Sequence, residues 1–505
     1  MKVYLGVDVG TTGVKASIFD VDGNLISQSF VPSKLYYPAP GLVEQKPEEM
    51  LSETVKAIQE AVEPLRNEKI TAISFDGQMA GFMGIDERWE ATTHYDSWLD
   101  TRCEDQVLEM NEFKREVIRR SGSAPGFFFG PKLLWWKEKK KEIYDRSVKF
   151  VEPSAYIAGK FADLNADFAF MDYTYIHFTN LSENKNKKWS EHLCGLFDID
   201  MSKLPRITSP NEIIGYLSEG YAREMNLEPG IPIAAGCGDT AAGLLGAGLV
   251  VPGESVDTAG TASVLTFCSS DFRPDVEKET LISCRSAVDG VWYSLAYING
   301  GGLCIDWFAD EFGYAGKVKK ESFEQLNEKA AAVAVGSEGL IFCPHFAGRN
   351  FPYEPNLRGS WAGLNWKHKK EHLYRSILEG IAFEYRHYLN NFKRLYPEVH
   401  LKRIMTIGGG SKSQLFCQIK ANCMSVPYAI LPEKEFSTLG SALIAAAAVG
   451  DIDDLKGKVL EITKEVEMVD PEKEAIQSYN SSFQEYEQTI DGLIGIFNGR
   501  KRLVR

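Results

Sequence analysis

Asp8-Val9-Gly10-Thr11-Thr12-Gly13-Val14-Lys15 lies between two apolar runs, Val3 to Val9 and Val14 to Phe19, that read as strands joined by a tight turn. A second stretch of the same kind, Asp257-Thr258-Ala259-Gly260-Thr261-Ala262-Ser263-Val264, also sits between strand-like runs. Gly10 and Gly260 are 250 residues apart in a chain of 505. Self-similarity at half the chain length implies two copies of one α/β domain. Each copy carries a strand-turn-strand whose tip presents backbone N–H groups and hydroxyls unobstructed by large side chains. Such tips bind anions, and two of them facing across a cleft would hold a polyphosphate.

Around the first tip, residues 2 to 31 form a three-stranded meander, with Leu25 to Val31 as third strand and Asp22-Gly23 as second turn. A helix from Pro47 to Leu65 places Met50, Leu51, Val55, Ile58 and Val62 at helical spacing and leads into the strand Ile70 to Phe75. Residues 104 to 160 read as mostly helical, broken at Phe127-Phe128-Phe129-Gly130-Pro131. Ser182 to Lys188, rich in Asn and Lys, reads as a surface loop. The pattern restarts at Ile231 with a strand to Ala235, a small-residue helix from Thr240 to Leu249 and a break at Val251-Pro252-Gly253. Strands follow within Ser255 to Phe267 and Val291 to Ile298, then a long helix from His368 to Tyr396 and the strand Arg403 to Ile407. The expected boundary near Gly248 divides the chain into residues 1–247 and 248–505.

Bulk properties agree with two domains, because a single hydrophobic core stops growing at about 250 to 300 residues. The hydrophobic share of 44% and charged share of 25% are ordinary globular values. A net charge of -14 argues against nucleic acid or an anionic membrane as the main partner, so an anionic ligand needs locally placed donors. Nine cysteines without a CxxC pair fit reduced thiols and a cytoplasmic location. The first residues enter a strand directly, which leaves no room for a signal peptide, and no apolar run reaches the roughly 18 residues of a membrane span. The basic tail Lys501-Arg502-Leu503-Val504-Arg505 is read as solvated and given no function. The oligomeric state stays open, a homodimer included.

A third glycine cluster, Ile407-Gly408-Gly409-Gly410-Ser411-Lys412-Ser413, follows a strand and opens a helix carrying Leu415, Phe416 and Ile419. It is either a tight turn with Ser411 as N-cap or a place where a flat ring or phosphate approaches bare backbone. The two anion-binding tips favour a nucleotide, although neither GxxxxGK[ST] nor a GxGxxG after the first strand is present. Gly236-Cys237-Gly238-Asp239-Thr240-Ala241-Ala242-Gly243 sets a carboxylate at the end of a buried strand among residues too small to block a ligand. Asp239 reads as a helix N-cap or as the acceptor of a proton in phosphoryl transfer to an alcohol. His368-Lys369-Lys370-Glu371-His372 matches the HxxEH zinc pattern, but without a third ligand cluster a chance match at a helix start is preferred.

These residues resemble the FGGY carbohydrate kinases, on the actin-like ATPase fold of two ribonuclease H-like domains with a ligand cleft between them. The resemblance covers essentially the whole chain. DVGTTGVK (Asp8 to Lys15) is similar to the family's first phosphate loop, DTAGTASVL (Asp257 to Leu265) to its second, and IGGGSKS to its adenosine motif. GCGDTAAG is similar to the segment carrying the general base. Further matches are SFDGQMAG (Ser74 to Gly81), DSWLDTRC (Asp96 to Cys103), PKLLWW (Pro131 to Trp136), PNLRGSWAGL (Pro355 to Leu364), LEGIAF (Leu378 to Phe383) and STLGSAL (Ser437 to Leu443). The resemblance implies ATP and Mg2+ as cofactors, with Asp8 and Asp239 near the metal and Asp239 as base. It implies phosphate contacts from Gly10, Thr11, Thr12, Lys15, Gly260 and Thr261, and adenosine contacts from Gly409, Gly410 and Ser411.

Within the family the nearest resemblance is to xylulokinases, which makes D-xylulose the expected acceptor. Two departures bear on that choice: Ala80 stands where xylulokinases usually carry His, and Thr240 where they usually carry Asn. Both replaced side chains would hydrogen-bond sugar hydroxyls. Leu99 likewise replaces the Asn of many WND motifs, and the glycerol-kinase Arg-Glu pair and Tyr correspond roughly to Gln78, Met79 and Phe127. Alternative acceptors are another ketose (ribulose, fuculose), a polyol (erythritol, glycerol) or an aldonate (gluconate). A rival reading from another class is an ATP-driven switch on the same fold. The expected acceptor contacts are Gln78, Met79, Asp100, Arg102, Asp239 and Thr240, with Trp98 and Phe127 on the C–H face of a sugar. Against these stand a core role for the aromatics and a simple Arg102–Asp100 pair.

Overall fold

The computed structural model describes residues 1–66, 68–313 and 319–499. Its first half is built on a six-stranded mixed sheet. Across it, strand Ile213–Tyr216 is followed by Pro232–Gly238, Lys69–Gly77, Lys2–Val9, Gly13–Phe19 and Leu25–Pro32. The middle three run parallel, and the meander and the far edge are antiparallel. The second half repeats this order with Glu467–Val469, Tyr428–Ile430, Arg403–Ile407, Glu254–Ala259, Ser263–Ser269 and Trp292–Ile298, and adds Ile282–Arg285 at the edge. The chain is therefore an α/β protein of two actin-like lobes, as the spacing of the two hairpins implies.

Local sequence explains the main elements. The parallel strand Lys69–Gly77 is buried on both faces over Ala72 to Gly77, as expected for a near-continuous apolar run inside a sheet. Helix Pro47–Val62 begins with Pro at its first turn and with Glu48 and Glu49 beside its positive end, and it buries Met50, Val55, Ile58 and Val62. Helix Lys370–Leu395 ends with Lys393 and Arg394 at its negative end and runs through the second lobe's core past Ile377, Ile381 and Phe392.

One helix of the second half, Phe436–Ala448, leaves its own lobe and packs on the first sheet and on helix Asp239–Gly246. Its backbone comes so close that three glycines are required. A Cβ on Gly6 would stand 2.0 Å from the Thr438 carbonyl oxygen, on Gly440 2.1 Å from that of Ala242, and on Gly246 2.0 Å from that of Phe436. Tyr4, Ala72, Ala241, Leu245, Leu439, Leu443 and Ile444 fill the seam, so the two lobes share an apolar core at this point. The Ser437 and Ser441 hydroxyls of the same helix each donate to the buried Asp76 carboxylate at 2.5 Å.

Two expectations are corrected. The break in the helical run lies earlier than expected, over Gly122 to Phe128, since helix Phe129–Lys139 runs through Gly130 and Pro131, where a proline near the N-terminus removes no helical hydrogen bond. Ser182 to Lys188 is not simply a surface loop. Ser182 and Asn184 are buried, and the Asn184 amide donates to the carbonyls of Ser121 (2.9 Å) and Ser283 (3.3 Å). The Arg285 guanidinium in turn donates to the carbonyls of Asn184 (2.9 Å) and Lys185 (2.7 Å), so the segment's polar groups join the lobes. All nine cysteines are buried and free. No described helix is long and apolar enough to cross a membrane. The tail 501–505 lies outside the described residues.

Candidate active site

Strand register brings the first lobe's chemistry to one edge. Asp8 pairs with Asp76 and Asp76 with Cys237, while Val9, Gly77 and Gly238 form the next row. The following residues, Gly10, Gln78 and Asp239, therefore emerge side by side from the carboxyl ends of three parallel strands, where open α/β sheets bind ligands. Gly10 closes the turn by donating to the Gly13 carbonyl at 3.2 Å. Among the described residues no acceptor takes the N–H of Thr11 or Thr12, so both amides are unspent donors.

Asp239 is the first residue of helix Asp239–Gly246, with Gly238 as the N-cap, and it is half-buried against the cleft. Its Oδ1 accepts from the Thr240 N–H (2.5 Å) and hydroxyl (3.1 Å). Burial raises its pKa to about 6, with those two bonds opposing, so it is ionised at neutral pH yet more basic than an exposed carboxylate. Asp8 is raised too, chiefly by burial and then by the charge of Asp239, with Lys15 opposing. Its Oδ1 has no hydrogen-bond partner among the described residues. Asp76 is pushed well above the usual carboxylate range by burial and by Asp8, against the two serine bonds. The Lys15 ammonium pairs with Glu435 at the start of helix Phe436–Ala448 and so spans the two lobes.

The second tip also leaves amides free, though its turn is closed differently. Gly260 donates back to Thr258 (3.0 Å), and among the described residues Thr261 and Ala262 have no acceptor for their N–H groups. The third glycine cluster lies against it: a Cβ on Gly410 would be 2.7 Å from that of Ala259, and one on Gly408 2.9 Å from the Ala259 carbonyl. Ser413, not Ser411, caps helix Gln414–Met424, because a 3-10 turn over Gly409–Lys412 intervenes and the Ser411 hydroxyl donates to Gly408. Sequence reading missed Gly300, Gly301 and Gly302, which open helix Gly301–Phe312 against this tip. A Cβ on Gly302 would stand 2.0 Å from the Gly260 carbonyl oxygen. Three consecutive glycines before a helix were the available signal.

Met79 and Thr240 line a cavity of about 130 Å³ between the lobes, with Val264 and Tyr297 opposite. Trp98 is half exposed, and its indole N–H donates to the Thr11 hydroxyl at 2.9 Å. Phe127 is partly buried. Gln78 is buried and its amide is spent on Gln45 (2.6 Å), Thr11 (3.2 Å) and the Gly10 carbonyl (3.4 Å), so it braces the first tip. Asp100 and Arg102 form the internal pair that the sequence left as an alternative. Asp100 also accepts from the Val43 N–H, and Arg102 reaches Glu44 and Asp96 beneath Trp135. Lys132, also missed, is buried and donates to the carbonyls of Ala80 (3.3 Å) and Ser97 (2.6 Å), fixing Ala80 in its left-handed conformation (φ 66°). His368 and His372 cap a helix start, accepting from the Asn365 and Lys369 N–H groups.

Duplicated lobes with a glycine-threonine hairpin at the same sheet position in each, and an acid at the strand end between them, define a phosphotransferase of the actin-like class. Comparison with known proteins places it further. Residues 3–246 match the N-terminal domain, and residues 258–449 the C-terminal domain, of the FGGY family of carbohydrate kinases, and the chain belongs to that family. It is 26% identical to the xylulose kinase of Bacillus subtilis over 492 residues, 96% of either chain. It is 28% identical to the gluconokinase of the same organism over 460 residues, covering 89% of this chain and 88% of that one. In structure it resembles the ligand-bound xylulose kinase of Lactobacillus acidophilus, with a TM-score of 0.90 at 23% identity over 99% of both chains. It is a sugar kinase, acting on a hydroxyl of a small-molecule sugar.

Proposed function

We propose that this kinase transfers the γ-phosphoryl group of ATP to a hydroxyl of a small sugar held between its lobes, with D-xylulose first among the acceptors. The observation that carries the reading is the place of Asp239, one residue beyond Gly238 in the row shared with Gly10 and Gln78 and beside the interlobe cavity. When bound, ATP supplies the phosphoryl group and Mg2+ neutralises its oxygens. The unpartnered Asp8 Oδ1 fits a cation, and Asp239 would share it. Among the described residues no three metal-ligating side chains form a cage, which suits a metal held by one or two carboxylates and by phosphates.

Asp239 accepts the proton of the acceptor hydroxyl, held in orientation by the two bonds from Thr240. Met79 and Thr240 shape the acceptor pocket, with Trp98 and Phe127 at its rim. Gln78, Asp100 and Arg102 act by holding these groups in place. The amides of Thr11, Thr12, Thr261 and Ala262, the turns at Gly10 and Gly260, and Lys15 once released from Glu435 receive the phosphates. Gly409, Gly410 and Ser411 receive the adenosine. The division near Gly248 assigns the acceptor pocket, first tip and base to residues 1–247, and the second tip and adenosine site to 248–505.

Purified protein assayed for ADP release against pentuloses, hexuloses, alditols and aldonates, with product mass read in parallel, tests this. A phosphorylated sugar formed by the wild type and lost in Asp239→Asn is expected. ATP hydrolysis at one rate with every acceptor, and no phosphorylated product, would instead favour the ATP-driven switch.

A further inference from the structure

His177 lies in a short turn, Ile176–Thr179, against Phe178 at 4.1 Å between ring centroids, and it is 3% exposed. It lines the cavity that also holds Met79, Thr240, Val264 and Tyr297. Among the described residues neither ring nitrogen has a hydrogen-bond partner. The Thr174 carbonyl is near enough to favour the protonated form slightly, but burial dominates and pushes the pKa down to about 3. The ring is thus neutral, with one N–H donor and one bare nitrogen acceptor. A buried polar group without a partner costs stability, and a phenyl ring would pack there better. A local rule broken in this way, in a cavity beside the base, marks a functional contact.

We infer that His177 is a specificity-determining residue that hydrogen-bonds hydroxyls of the acceptor, and that its pocket takes an uncharged polyhydroxylated acceptor, a ketose or an alditol, rather than an aldonate. The inference rests on the kinase reading above. Two neighbouring hydroxyls, one accepting from the N–H and one donating to the bare nitrogen, satisfy a neutral imidazole. A carboxylate would instead require a cation. The guanidinium lining the same cavity, Arg285, already gives Nε and Nη2 to the carbonyls of Asn184 and Lys185, and its Nη1 lies 3.8 Å from the Asp289 carboxylate. The other polar groups lining the cavity, the hydroxyls of Thr174, Thr240, Tyr293 and Tyr297 and the Cys284 thiol, are neutral.

His177→Phe and His177→Gln, compared with wild type, test this by calorimetric binding and turnover with D-xylulose, D-ribulose, xylitol and D-gluconate, together with thermal melting. Wild type should bind and turn over a neutral acceptor better than D-gluconate. In His177→Phe the acceptor Kd and KM should rise roughly tenfold to a hundredfold, the scale of losing hydrogen bonds to a substrate hydroxyl, with the KM for ATP unchanged and the Tm equal or higher. His177→Gln, which keeps a donor and an acceptor, should recover part of the loss. Unchanged acceptor binding in His177→Phe, or D-gluconate as preferred acceptor, overturns the inference and leaves the kinase reading intact. Neutral acceptors bound in a His177-dependent way without phosphorylated product would overturn the kinase reading and keep the inference. If no acceptor in the panel is bound or phosphorylated, both fall.

Discussion

The Lys420 ammonium rests against the Asp257 carboxylate with both side chains fully buried, in the strand that leads into the second tip. The Tyr385 hydroxyl (2.7 Å) and Thr406 hydroxyl (3.4 Å) complete the shell around Asp257. Asp8 has an unpartnered oxygen instead. The acid before the second tip is thus a buried strut, and the acid before the first stays available.

Lys420→Met should therefore be severely destabilising, by about 3–5 kcal/mol, because it leaves an uncompensated charge in the core. Lys420→Met combined with Asp257→Asn should recover much of that loss. Denaturant unfolding of the two variants measures it, and an additive double mutant would mean that the pair is not coupled.

Asp8→Asn should act on metal use and not on folding. The Mg2+ concentration for half-maximal activity at fixed ATP is expected to rise at least about tenfold, the effect of losing one carboxylate from a two-carboxylate site. A Mg2+ titration that superimposes on wild type would remove Asp8 from the metal site.

Asp239→Asn keeps the size of the side chain and abolishes its basicity. Turnover should fall roughly 100-fold or more, with nucleotide binding little changed. Near-wild-type turnover on the same acceptor would require another base.

A pH effect on stability is expected from Asp172, which is buried and accepts from the Thr174 N–H at 2.8 Å. Burial raises its pKa to about 7. A carboxyl raised above its unfolded value binds its proton more tightly in the folded state, so its contribution is present at low pH and is lost as pH rises from about 4 through about 7. Asp172→Asn should remove that dependence and gain stability at pH 8, with roughly 4 kcal/mol as an upper bound. Melting curves at pH 5 and 8 check the sign: a variant less stable than wild type at pH 8 would contradict it.

Gly440→Ala tests the interlobe seam. The added methyl would stand 2.1 Å from the Ala242 carbonyl oxygen, backbone that cannot move without shifting helix Asp239–Gly246. A loss of about 1–3 kcal/mol or more is expected, together with reduced turnover through displacement of Asp239. Wild-type melting and activity would show that the helices separate freely.

Much of the architecture was legible in the chain because it is written locally. Strand Arg403–Ile407 and the hairpins around Gly10 and Gly260 fall where alternation and glycine turns put them. Whether Ser411 caps a helix stayed open in the sequence because a 3-10 turn and a helix start are offered by the same small polar residues, and hydrogen bonds to Gly408 and Phe416 decide between them. Asp100 and Arg102 looked like acceptor contacts because their residue types suit hydroxyls. Their burial follows from Glu44, Asp96 and Trp135, which the fold brings to them.

Sequence by itself determined the duplication, the two glycine-threonine tips and an acid at the end of a central strand, since each depends on the sterics and hydrogen bonding of adjacent residues. Tertiary structure alone decided that Asp257 is neutralised, by a lysine 163 residues away, and that among the described residues the buried His177 ring lacks a hydrogen-bond partner. It also set a second-lobe helix on the first lobe's sheet. Charge compensation and desolvation are sums over all groups that converge in space, and those groups are scattered along the chain.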